Sequence, residues 1–228
     1  MRKLKLKQSK LMENKEKRSV MYTVGEEIFN SVSHGVGVLL SIAALVLLIV
    51  FAAIYSDGYG LASALVYGIS LILLYTMSMV YHIVQNEKGK KVLRIFDHCS
   101  IFILIAGTYT PYLLGPLRGA LGWTIFGIIW GVTVIGILLN AISLERFKVI
   151  SLICYVLMGW GIVLSIKPLA QNLPLGGLWL LIAGGLVYTV GIIFYVMKKY
   201  RYMHSVWHLF VLAGSICHYF SILLFVLK

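Results

Sequence analysis

Seven apolar runs, at residues 32–54, 61–84, 97–114, 121–141, 148–166, 175–197 and 205–227, occupy most of this 228-residue chain. A bilayer core about 30 Å thick takes roughly 20 apolar residues per helix, and each run meets or approaches that length. None shows the apolar-polar alternation of barrel strands, and the runs are about twice as long as a membrane strand requires. With 60% hydrophobic and only 12% charged residues, and a mean hydropathy of +0.92, the composition exceeds what a water-soluble core needs. The expected fold is all-α, a polytopic membrane protein of seven transmembrane helices in the cell membrane. Residues 1–31 form a basic tail with the start of a first-helix motif, and residues 32–228 form one seven-helix domain. The first run is too long for a signal-peptide core and is read as a helix.

Charge placement predicts the orientation, because Lys and Arg in short loops are retained on the cytoplasmic side. The N-terminal tail is strongly basic, and Lys88, Lys90, Lys91 and Arg94, then Arg146 and Lys148, then Lys198, Lys199 and Arg201 follow the second, fourth and sixth runs. Arg118, Lys167 and Lys228 fall on the other side. The N-terminus is expected in the cytoplasm and the C-terminus outside. The net charge of +12 is therefore a topology signal and no nucleic-acid footprint. The tail is also suited to anionic lipid headgroups, at about 1 kcal/mol per Lys or Arg. Cys99, Cys154 and Cys217 all lie in apolar runs, which argues for buried thiols and against a disulfide framework or a CxxC zinc motif. Gly127 and Gly131, with Gly184, Gly185 and Gly191, are expected to let neighbouring helices approach closely.

Ionisable groups inside an apolar run are costly, about 2.5–3.5 kcal/mol each at mid-membrane, so the few present are informative. His82 ends the second run, Asp97 begins the third, and His204 and His208 begin the seventh. At a rise of about 1.5 Å per residue these four share one slab at the cytoplasmic helix ends. His204 and His208, at i and i+4, lie on one helix face, the spacing by which a helix offers two imidazoles to one metal. With His82 they make a three-histidine set of the kind that holds a catalytic zinc and leaves a fourth position for water. Iron and manganese accept the same ligands. Asp97 is placed to orient or deprotonate such a water, and Ser78, one turn before His82, to hydrogen-bond it or a substrate carbonyl. Each residue also has a plainer reading: His82 as an interhelical contact, Asp97 as a helix cap, Ser78 bonded back to its own helix. His98 points about 100° from Asp97, and His218 lies about 15 Å beyond His208, so both are left outside the metal's reach. A retinal protein is excluded because the last run offers only Lys228. Haem is disfavoured by the paired His204 and neighbouring Asp97.

The order Glu27-x2-Asn30-x3-His34, Ser78-x3-His82, Asp97 and His204-x3-His208, spread over the whole length, resembles the progestin and adipoQ receptor family and its short bacterial form, the hemolysin III proteins. The resemblance implies a bacterial plasma-membrane protein with zinc held by His82, His204 and His208 near the cytoplasmic face, and with Asp97 and Ser78 beside the water. It also implies kinship with alkaline ceramidases, which hydrolyse a lipid amide. Glu27, Asn30 and His34 are assigned to packing or support of the site on the first helix. The expected function is hydrolysis of a lipid amide or ester, with membrane lipid as substrate or ligand. The alternatives are a non-catalytic receptor or regulator of lipid homeostasis with structural zinc, and a cytolytic, pore-forming protein.

Overall fold

The computed structural model describes residues 22–197 and 199–228, and the basic stretch 1–21 lies outside the described residues. Those residues form helices joined by short connections, with no strand among them. Helices α1 (Val24–Tyr55), α2 (Gly58–Ile83), α3 (Glu87–Leu114) and α4 (Ala120–Trp160) lead into a short 3₁₀ turn at Gly161–Ser165 and a two-turn helix α5 (Ile166–Asn172). Helices α6 (Leu175–Val196) and α7 (Met203–Ser221) follow, and α7 ends in a π turn at Ile222–Val226. Among the described residues, six helices are long and apolar enough to cross a membrane, the helical run from Ala120 to Asn172 counting as one. That run has 53 residues. Straight, it would reach about 80 Å, far beyond a bilayer core. It is broken at Ser143, whose backbone is extended (φ −164°, ψ 99°), into segments 120–142 and 144–160.

Two helices begin well before their apolar runs, because capping chemistry rather than hydropathy sets the start. Thr23 closes a capping box on α1: its hydroxyl accepts from Glu26 N, while the Glu26 carboxylate accepts from Thr23 N at 2.8 Å. The α1 helix therefore includes Glu27, Asn30 and His34. Asn86 caps α3 by accepting from Gly89 N at 3.0 Å. This brings Lys90 and Arg94 inside a helix and places Asp97 nearly three turns from its start, so Asp97 is not the cap.

Neighbouring helices pack in the order α4, α3, α2, α1, α7, α6, and α4 touches α6 only sparingly. The outward surface carries Leu39, Ile142, Leu164 and many other exposed apolar side chains, as a lipid-facing surface requires. The core is aromatic and polar-tipped. Tyr75 donates to Ser215 Oγ and Tyr112 to Ser221 Oγ, both at 2.8 Å, so the buried hydroxyls bond across helices. At the bundle end opposite the histidines, Asp57 caps α2 and pairs with Arg118, whose hydrogen bond holds the Asp57 carboxyl below its ordinary range.

The glycine expectation divides. Gly191 admits the Trp207 ring and Gly184 the His218 ring, and a Cβ at Gly185 would just touch Trp160. Gly127 and Gly131 face open space in the monomer and bring no helix of this chain closer.

Candidate functional site

The end of α2 and the start of α7 meet the start of α1, and all three helices contribute polar groups to one buried cluster. His82 occupies the last turn of α2 and is buried. Its Nδ1 lies 2.6 Å from Glu27 Oε2 on α1, so Nδ1–H donates to the carboxylate and Nε2 presents a lone pair. That Nε2 has no hydrogen-bond partner among the described residues. Lys90 Nζ, from the first turn of α3, pairs with the other Glu27 oxygen at 2.7 Å. The result is a Lys90–Glu27–His82 chain of contacts drawn from three helices.

His204 and His208 stand one turn apart on α7, with their Nε2 atoms 3.1 Å apart. Nitrogens of His82, His204 and His208 all lie within 4.8 Å of one another. Tetrahedral zinc with bonds of about 2.0–2.1 Å holds its nitrogens about 3.3 Å apart. The donor set therefore fits a first-row metal: three imidazoles, two of which (His82 at Nε2 and His208 at Nδ1) have a buried nitrogen unpartnered among the described residues, and a carboxylate fixing the tautomer of His82.

The α1 residues at 27, 30 and 34 line one face of their helix. Asn30 is fully buried, and its Oδ1 accepts from Ser205 Oγ on α7 at 2.6 Å. His34 stacks on the His208 ring at 3.7 Å between centroids and meets Tyr75 edge-on at 5.0 Å. The start of α7 is held to α1 by Glu26, whose Oε1 accepts from Tyr202 N at 2.7 Å, where Tyr202 takes a left-handed backbone (φ 60°). Tyr22 closes the cluster from the chain's N-terminal side, stacking on His204 at 4.7 Å and lying 5.5 Å from His82. Sequence reasoning missed Lys90, counted as a loop charge, and Tyr22; the only signal for Tyr22 is an aromatic residue directly before the Thr23 cap.

A cavity of about 190 Å³ opens beside this cluster, bounded by α2, α3, α4, α6 and α7, with α1 contributing His34 and the 161–166 stretch closing one side. His204 and His208 reach its wall, as do His34, Ser78 and Asp97, so the predicted Asp97 and Ser78 face the same space as two of the three histidines. His98 also lines it, with Nδ1 2.9 Å from Arg94 O and 3.6 Å from Asp97 Oδ2. Most of the remaining wall is apolar, and it extends along α7 as far as His218. The α4–α6 side is bridged by Trp160 Nε1, which donates to Thr189 Oγ1 at 3.0 Å.

Comparison with known proteins adds a family. Residues 22–219 match the family described as haemolysin-III related. The chain is 45% identical over 208 residues to a hemolysin-3 homolog of Bacillus subtilis (strain 168), covering 91% of this chain and 98% of that protein. It is 46% identical over 204 residues to hemolysin-3 of Bacillus cereus, covering 90% and 93%. A more distant relative, the human monocyte to macrophage differentiation factor, is 33% identical over 172 residues, covering 70% of this chain and 68% of that protein. With its apolar helices and this match over nearly its whole length, the chain belongs to the haemolysin-III related family of multi-pass membrane proteins.

Proposed function

We propose that this protein is an intramembrane, zinc-dependent hydrolase of lipid amide or ester bonds. The observation that carries the reading is the His82, His204 and His208 group meeting an apolar cavity that Asp97 and Ser78 also line. His82, His204 and His208 would hold the metal. When bound, zinc acts as a Lewis acid on a carbonyl and lowers the pKa of water toward ~7.

The chain's own groups supply the rest. Glu27, charged and paired with Lys90, keeps the His82 Nδ1 proton in place and its Nε2 lone pair turned outward. Asp97 accepts the proton of the attacking water and passes it to the leaving amine or alcohol. Ser78 donates to the substrate carbonyl. The apolar wall takes the acyl chain, which enters from the bilayer between α4 and α6, where the helices touch least. We also propose seven crossings, with the break at Ser143 separating two of them, and with the N-terminus cytoplasmic as the basic residues require.

The test has two stages. Plasma mass spectrometry on detergent-purified protein should find one zinc per chain, and none in a folded variant with His204 and His208 both changed to alanine. Fluorogenic lipid amides and esters should then be cleaved by the parent, while Asp97→Asn retains zinc and loses turnover. Zinc present without any cleavage would favour a second reading. In that reading the metal clamps α2 to α7 in a non-catalytic membrane regulator, an assignment supported by the three histidines coming from the end of one helix and the start of the other. Cytolysis, suggested by the names of the two Bacillus relatives, would instead appear as dye leakage from vesicles that survives loss of the histidines.

A further inference from the structure

His218 lies ten residues beyond His208 on α7, a helical rise of about 15 Å, on the wall of the same cavity. It is buried, and its Nε2 lies 3.1 Å from Leu181 O on α6. A carbonyl only accepts, so Nε2 carries the proton and the neutral ring presents Nδ1 as an acceptor. That Nδ1 has no partner among the described residues. The ring's place is made by a glycine: a Cβ at Gly184 would collide with His218 Cδ2 and Nε2. A leucine in that position would pack against α6 without burying an unmatched acceptor there. Burying an unmatched acceptor is unfavourable, and a donor from an occupant would recover that cost.

We infer that His218 forms a second polar subsite, which accepts a hydrogen bond from a hydroxyl borne partway along an otherwise apolar chain. The occupant is an acyl chain whose polar end lies among His204, His208 and Asp97 and whose hydroxyl reaches His218 about 15 Å away. A hydroxyl suits the position better than an amide. It supplies the donor that Nδ1 needs without adding a carbonyl and a second N–H to be matched in an apolar wall. Tyr188, whose ring lies 5.5 Å from His218, already has its hydroxyl engaged with Ser215 Oγ at 2.7 Å, so it does not fill this role.

The inference rests on the proposed function only in taking an acyl chain as the cavity's occupant, and it is read by binding without turnover. Purified full-length protein in nanodiscs would be titrated with 12-hydroxystearate, stearate and 2-hydroxystearate, each displacing a radiolabelled stearate tracer. One ordinary hydrogen bond predicts that the mid-chain hydroxyl binds about fivefold more tightly than stearate. His218→Leu should abolish that preference, so that 12-hydroxystearate and stearate bind alike. Gly184→Ala, which pushes the imidazole aside without altering its chemistry, should reduce it. Any advantage of 2-hydroxystearate should survive both variants, since that hydroxyl lies at the other end. Equal affinity for 12-hydroxystearate and stearate in the parent, or a preference that persists in folded His218→Leu, would overturn the subsite and leave His218 as a link between α6 and α7. Failure of the hydrolase reading shows separately, as lipid binding with this preference but no cleavage.

Discussion

Glu27 Oε2 lies 2.6 Å from Nδ1 of His82, which joins the first turn of α1 to the last turn of α2 and fixes which imidazole nitrogen is left for a ligand. A carboxylate that orients a metal-binding histidine typically contributes 10- to 100-fold in metal affinity. Glu27→Ala should therefore weaken binding of the proposed zinc by about that factor. Competition against a chelating dye, on protein shown to be folded, measures it. Unchanged affinity would mean that His82 keeps its tautomer without Glu27.

Lys90 acts one step further out. Its ammonium lies 2.7 Å from Glu27 Oε1, 3.3 Å from Val84 O, and over the Tyr81 ring at 5.1 Å. Lys90→Met keeps the aliphatic stem but removes the charge that pairs with Glu27. The expected loss of zinc affinity is about three- to tenfold, smaller than for Glu27→Ala, because the carboxylate still accepts from His82. Arginine at the same position should restore most of it. The same dye competition separates the two variants, and a loss in Lys90→Met equal to that in Glu27→Ala would show that the carboxylate has moved away from His82.

How far the site was legible in the sequence follows from the range of each interaction. The i, i+4 pair His204 and His208 is a local helix-face pattern, while Glu27, Asn30 and His34 are marked only by the family resemblance; the structure sets all five against the cluster. Helix existence was equally visible, since apolar length alone marks it. The starts of α1 and α3 were not, because their first turns are polar and are held by Thr23, Glu26 and Asn86. Lys90 and Arg94 were read as loop charges for the same reason, although Arg94 pairs with Glu145 at 2.6 Å across to α4. The placing of His98 and His218 on one cavity wall depends on how several helices pack around a shared space, which no spacing within one helix reveals.

Gly37 tests how tightly the site is backed. A Cβ there would stand 2.5 Å from the Tyr75 ring, and Tyr75 is the residue that meets His34 edge-on. Gly37→Ala should cost about 1–3 kcal/mol through overpacking, despite the better helix propensity of alanine. Gly127→Ala is the matched control. Nothing lies within 4 Å of its added methyl, so it should be neutral or slightly stabilising. Thermal unfolding in one detergent compares the pair. Equal midpoints would show that the Tyr75 ring swings away at no cost.

The extended backbone at Ser143 bears on the whole topology. If segments 120–142 and 144–160 cross the membrane separately, the chain crosses seven times and its ends lie on opposite sides. If the run from Ala120 to Asn172 counts as one crossing, the total is six and both ends lie on the same side. Arg146 and Lys148, just past the break, favour the first arrangement by marking a cytoplasmic turn. Alkaline phosphatase fused after Lys228 should therefore be active in intact cells, because the enzyme folds only outside the cytoplasm, and the same reporter inserted after Arg146 should be silent. Silence at both positions would overturn the seven crossings. Activity at Arg146 with silence at Lys228 would keep an odd number of crossings but overturn the cytoplasmic placing of that turn and of the N-terminus. It would also require the histidine cluster to be reassigned to whichever face the N-terminus then occupies.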